Sequence, residues 1–253
     1  MGWLWLLLWQ ILYPSIGCLL SILFIAPVLG LIAKSMLESA SMRRQATVAM
    51  YLNPQRWLYR FFRRSIFMVL WQIFKATFFA IFIITEAIFF DSWVWILLFF
   101  DVIFIFIFYH FFTKILNDQV KIEYAQIFAR EYLMIFNSMV FSLIISIIGF
   151  YMPYPDYREL TWLQAIEYEV IKIQGDCQIT LIMARFSAAK NAISWWLAET
   201  WLTKISDSYL AFLVWLIFLL NSTAFVWAYS RMLLGILTFF GNQPNRTESV
   251  LKP

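Results

Sequence analysis

Marked as apolar or polar, the chain reads as long apolar runs separated by short charged stretches. A helix needs about 20 apolar residues to cross a hydrocarbon core of about 30 Å. Five runs reach that length, at about 15–33, 65–90, 92–112, 132–151 and 208–234. The first apolar stretch begins at Trp3, too early for one untilted span, so Pro14 is expected to set off an interfacial piece before the first crossing. The second and third runs meet at a very tight turn near Asp91. The fourth is closed by Pro153 and Pro155, since the residue before a proline avoids helical backbone. Between the fourth and fifth runs, residues 157–207 follow a different rhythm. Trp162, Ile166, Val170, Ile173, Cys177 and Leu181 recur at intervals of three and four, with Glu167, Lys172 and Asp176 on other faces. That spacing predicts one or two amphipathic helices, lying on the outer membrane face or packed on a neighbouring protein.

The predicted fold class is therefore all-α: a polytopic transmembrane helical bundle of about five spans, with an amphipathic helical arm on the outer face. The whole of 1–253 forms a single integral membrane domain. Residues 34–64 form a basic cytoplasmic loop and 113–131 a cytoplasmic helical link.

Composition agrees. The chain is 63% hydrophobic and 13% charged, against about 45–50% and about 25% in soluble domains. A soluble fold of this size has too little interior to hide so much apolar surface. Its N-terminus lacks the positive region of a secretory signal and is expected to be retained. The two cysteines, Cys18 and Cys177, belong to no CxxC or Cys/His cluster and are expected to be unpaired in apolar sites, with a disulfide between them as the alternative. His110 is the one histidine. That argues against haem, zinc or di-iron centres built from several imidazoles, and no cofactor or metal is expected.

Charge orients the chain. Lys34, Arg43, Arg44, Arg56, Arg60, Arg63 and Arg64 crowd the first long loop, opposed only by Glu38. By the positive-inside rule this loop is cytoplasmic, which puts the N-terminus outside and the C-terminus inside. A bacterial inner membrane is the expected location. Arg56, Arg60, Arg63 and Arg64 repeat at helical spacing beside Trp57, Phe61 and Phe62. They are expected to contact anionic headgroups, at about 1 kcal/mol each, or an acidic partner. The patch is too short and too close to the membrane to suggest nucleic acid. Tryptophan supports the same orientation, because its ring prefers the interface. Trp93, Trp95, Trp162, Trp195, Trp196 and Trp201 are the expected outer anchors.

Asp101 interrupts the third run ten residues beyond Asp91, about 15 Å deep at the helical rise. An aspartate at the midplane costs about 2.5–3.5 kcal/mol even on insertion scales, so it should face protein or water. Ser142 and Asn221 fall near the middle of the fourth and fifth runs. The expectation is an interhelical polar cluster of Asp101, Ser142 and Asn221. Small residues at fourfold spacing let helices approach closely. Ser138, Ser146 and Gly149 flank Ser142 on the fourth run, and Gly17, Ser21, Ala26 and Gly30 mark the first.

No nucleophile elbow, HExxH, paired carboxylates or phosphate loop is present. An enzyme is therefore not expected. With other membrane proteins as partners, the sequence suggests a non-catalytic subunit or scaffold of a membrane assembly, such as a secretion or conjugation apparatus. The alternative is a small transporter or channel using Asp101.

Overall fold

A computed structural model describes residues 2–51, 66–119, 122–151, 156–157, 159–204 and 208–240. The described chain is helical, without strands, and five of its helices are long and apolar enough to cross a membrane. The helices are α1 (Gly2–Leu12), α2 (Cys18–Tyr51), α3 (Ile66–Ala87), α4 (Ser92–Asn117), α5 (Ile122–Tyr151), α6 (Trp162–Ile171), α7 (Gln178–Lys204) and α8 (Ser208–Phe240). The candidate spans are Cys18–Arg44, Ile66–Ala87, Ser92–Asn117, Ala125–Gly149 and Phe212–Leu237. An integral membrane protein is the consistent reading. The large apolar side chains left exposed on these helices, such as Leu19, Phe67 and Phe106, then suit contact with lipid or with another membrane protein.

The spans pack in sequence-adjacent pairs, α4 on α5 and α2 on α3, with α8 touching α2, α3 and α5. One end of the bundle carries the α6–α7 arm and the α3–α4 turn, and we call it the arm end. The other carries Arg43, Arg130 and Arg231, and we call it the basic end. At α6 the reason for the helix start is local. Thr161 and Gln164 form a reciprocal capping box, which satisfies two backbone N–H groups that the first turn leaves free. The arm is closed by Tyr157, whose N–H donates to Glu199 (2.7 Å) and whose hydroxyl donates to Glu169 (3.0 Å). Burial, then the Glu169 carboxylate beside it, pushes the Tyr157 phenol well above its ordinary value.

Three features differ from the sequence expectation. First, α1 is not an interfacial piece. It runs into the bundle, with Gly2 against Met232 and Ile236 of α8, and Leu6 and Trp9 fully enclosed. Its polar tips explain this. A helix end leaves its last carbonyls without intrahelical partners. Trp9 Nε1 donates to Ile84 O (2.9 Å) near the end of α3, and Gln10 Nε2 donates to Phe90 O (2.7 Å) in the turn that follows.

Second, Cys18 and Cys177 form a disulfide, with Cα atoms 4.7 Å apart. The loop after α6 folds onto Tyr13, where Gly175 leaves room for the phenol, and this carries Cys177 to the start of α2. Spacing alone could not reveal a contact across 159 residues.

Third, of the small residues of the first span only Ser21 packs. Gly17, Ala26 and Gly30 are exposed, and nothing would meet a Cβ at Gly17, Gly30 or Gly149. Ala26 lies five positions after Ser21, so it and Gly30 fall on a different face of the helix from Ser21, and Gly17 precedes the helix. The buried stripe is instead Ser21, Phe24, Val28, Ile32, Ser35 and Ser39. The close crossing is made by Gly235 of α8, where a Cβ would collide with the carbonyl group of Leu31.

Candidate functional site

Polar groups inside the bundle gather along the contact of α5 with α8, in layers. At the basic end, Glu131 of α5 takes two hydrogen bonds from Arg231 of α8, at 2.6 and 3.0 Å. Arg43 of α2 adds a third at 2.6 Å. Arg231 and Glu131 are both buried, whereas the Arg43 side chain is 69% exposed. The Arg231 guanidinium also lies 5.2 Å from the centre of the Trp227 ring. Beside this network Arg130 grips Glu38 with both terminal nitrogens, at 2.9 and 3.1 Å. A cleft of about 270 Å³ opens here between α2 and α5, lined by Met42, Arg43, Phe128, Glu131, Tyr132 and Ile135.

The middle layer holds Asp101, which is fully buried. Asn137 of α5 lies beside its carboxylate, and Tyr229 of α8 is close by. Asn137 donates to Ser230 Oγ (2.9 Å), which itself donates to Val226 O. Neither Asp101 oxygen has a hydrogen bond of normal geometry. On α5 the buried apolar Leu133 and Met134 lie between Glu131 and Asn137, whereas on α8 Ser230 is followed directly by Arg231.

At the arm end, Ser146 donates to Ser222 (3.1 Å). Lys190 of α7 reaches Glu86 of α3 at 2.6 Å and Asn221 of α8 at 2.7 Å, and lies 5.0 Å from the centre of the Phe82 ring. Ser187 also donates to Glu86. Three helices are thus tied at one point.

The expected cluster of Asp101, Ser142 and Asn221 is divided among these layers. Ser142 is buried and donates to Met139 O within its own helix. Asn221 belongs to the arm end, level with Glu86 near the close of α3, because α8 begins before its neighbours and its midpoint by sequence is not its midpoint by depth. Ser138 and Ser146 are buried in the same helix as Ser142.

Trp95 is not an outer anchor: it is buried, and its indole donates to Gln10 Oε1 (2.7 Å). Trp162 is exposed. Trp93 donates weakly to Asp91 (3.3 Å), and Trp196 donates to Leu160 O (2.9 Å). Trp195 packs on Phe218 with ring centres 4.7 Å apart. Arg56, Arg60, Arg63, Arg64 and the side chain of Trp201 lie outside the described residues.

Sequence reasoning missed the Glu131–Arg231 pair, because Glu131 falls in the segment 113–131 expected in the cytoplasm and Arg231 near the end of the span expected over 208–234. A signal was present: Arg231 is the lone charge in the apolar run 208–240, and such a residue calls for a buried acid.

The donors of these layers are carboxylate, amide, hydroxyl and guanidinium groups, which suit hydrogen bonding and ion pairing across helices. Among the described residues no group of three or more His, Cys, Asp or Glu could hold a metal ion. No family model, curated protein or solved structure matches the chain.

Proposed function

We propose that this chain is a non-catalytic integral membrane subunit or scaffold of a larger membrane assembly. The observation that carries the reading is how its membrane-depth polar groups end. Glu131 ends on Arg231, Ser146 on Ser222, and Glu86 on Lys190 and Ser187. A conducting path would need polar groups to lead on from one partner to the next, and Asn137 ends through Ser230 on the backbone carbonyl of Val226. Such pairing supports a fixed shape that other proteins dock against. A secretion or conjugation apparatus is the kind of assembly we have in mind. We place the arm end outside and the basic end in the cytoplasm of a bacterial inner membrane. Two features support this placement: the positive residues at the basic end, and a disulfide at the arm end, since disulfides persist on the oxidising side.

The test is photocrosslinking in the host membrane, with a benzophenone amino acid at Phe106 or Ile135, both exposed on spans. Adducts of discrete mass to other membrane proteins are expected. Adducts to lipid or to a second copy alone, from both sites, would refute the reading.

A second reading rests on Asp101. A buried carboxylate with neither oxygen in a normal hydrogen bond is costly to keep, and a small transporter or channel would give it a use. Asp101→Asn separates the two. It keeps the volume and an acceptor, so a scaffold retains assembly and function, whereas a transporter loses function with the protein intact.

A further inference from the structure

The first half of α7 exposes Ile179, Ile182 and Phe186 at 54%, 58% and 76%. Their spacing of three and four places them on one strip of the helix. This strip has an ordered surrounding. On one side of it lie Ser187 and Lys190, which face the bundle through Glu86. On its other side lie Gln178 and Arg185, both exposed. They share a face with Trp196, five turns beyond Gln178, which bonds to Leu160 beside α6. Going around the helix from the bundle toward the arm, the exposed surface therefore changes from apolar to polar.

The level of this segment is fixed by covalent and polar ties. Cys177, one residue before α7, is bonded to Cys18, the first residue of α2. Ser187 and Lys190 reach Glu86, one residue before the end of α3. The strip thus lies at the height where two spans meet the membrane boundary. Just beyond Cys18, α2 exposes Leu19, Ile22 and Leu23 on a span.

From this geometry we propose that the first half of α7 is an interfacial helix, whose Ile179–Ile182–Phe186 strip is covered by phospholipid of the leaflet at the arm end, with Arg185 at the headgroups. A helix in the interface plane buries its apolar face about 5–10 Å into the headgroup and acyl boundary, with basic residues toward the phosphates. The partner is a lipid surface rather than a protein, because the apolar strip borders the bundle and the polar strip faces away from it. The proposal rests on membrane embedding and is independent of the scaffold role.

The test is spin labelling in proteoliposomes of three parts phosphatidylcholine to one part phosphatidylglycerol. Ile182→Cys and Phe186→Cys are labelled with a nitroxide in separate variants, the native disulfide intact, with Glu167→Cys as an exposed reference. Oxygen favours the bilayer and a nickel chelate favours water. Lipid cover predicts that both strip labels are relaxed several-fold more by oxygen, relative to nickel, than the label at position 167. Nickel accessibility equal to that of position 167 would overturn the proposal by showing open water. Shielding from both reagents would overturn it by showing a protein on the strip. Either site alone suffices, so one poorly folding variant does not spoil the test.

Discussion

Removing Glu131 should cost far more than removing Arg43, although both contribute to the same ion pair. Arg231 and Glu131 are buried and joined by two hydrogen bonds. Glu131→Ala leaves the Arg231 charge enclosed without a carboxylate, and breaking a buried pair in this way costs about 3–5 kcal/mol. Arg43→Ala leaves the buried pair whole and removes only an exposed partner, worth about 0–1 kcal/mol. Replacing both buried charges, as Glu131→Met with Arg231→Met, removes their desolvation along with their attraction. It should come within about 1 kcal/mol of the wild type, or be more stable. The assay is reversible unfolding in mixed micelles titrated with sodium dodecyl sulfate, followed by tryptophan fluorescence. A gap of about 3 kcal/mol between Glu131→Ala and Arg43→Ala is more than a hundredfold in the folding constant. If the two single variants lose stability equally, or if the double variant loses the sum of the Glu131 and Arg231 single losses, the layered account of the basic end is wrong.

Other consequences are as direct. Gly235→Ala drives a methyl group into the Leu31 carbonyl and must separate α2 from α8, so about 1–3 kcal/mol should be lost in the same unfolding assay. Gly30→Ala, with open space around it, should be neutral or slightly stabilising. Ser142→Leu puts a large side chain at a buried position of α5 and should lower the yield of dispersed protein in size-exclusion chromatography; normal yield and retention would remove that position from the packed interior. Peptide mapping of unreduced, alkylated protein should recover one peptide joining Cys18 to Cys177. The Cys18→Ser/Cys177→Ser variant should unfold more readily, by at most about 5 kcal/mol on loop-closure entropy, and equal stability would show that the bridge adds nothing.

The spans were legible in the sequence because hydropathy at this length has one physical solution: every backbone polar group must be satisfied within a helix. The arm was legible by its period, whereas the capping box of Thr161 and Gln164 was found only in the structure. Depth was harder. Asp101 could be placed because its helix begins at a turn, whereas Asn221 could not, because the start of α8 does not coincide with the membrane boundary. Partners were least legible. Arg231 lay near the end of a predicted span with no partner assigned, and Trp95 looked like a surface anchor. Each is turned inward by a residue far along the chain, Glu131 for the first and Gln10 for the second. The stripe at Gly17, Ser21, Ala26 and Gly30 misled for a local reason: a five-residue step inside it changes face.

The most direct test of the central claim is the native mass of the protein extracted from its own host in mild detergent, with every co-purifying chain identified. The scaffold reading predicts a complex of several different membrane proteins in fixed ratio, which survives Asp101→Asn. A lone monomer or homo-oligomer would contradict it, and would leave Asp101 as the first residue to examine for transport.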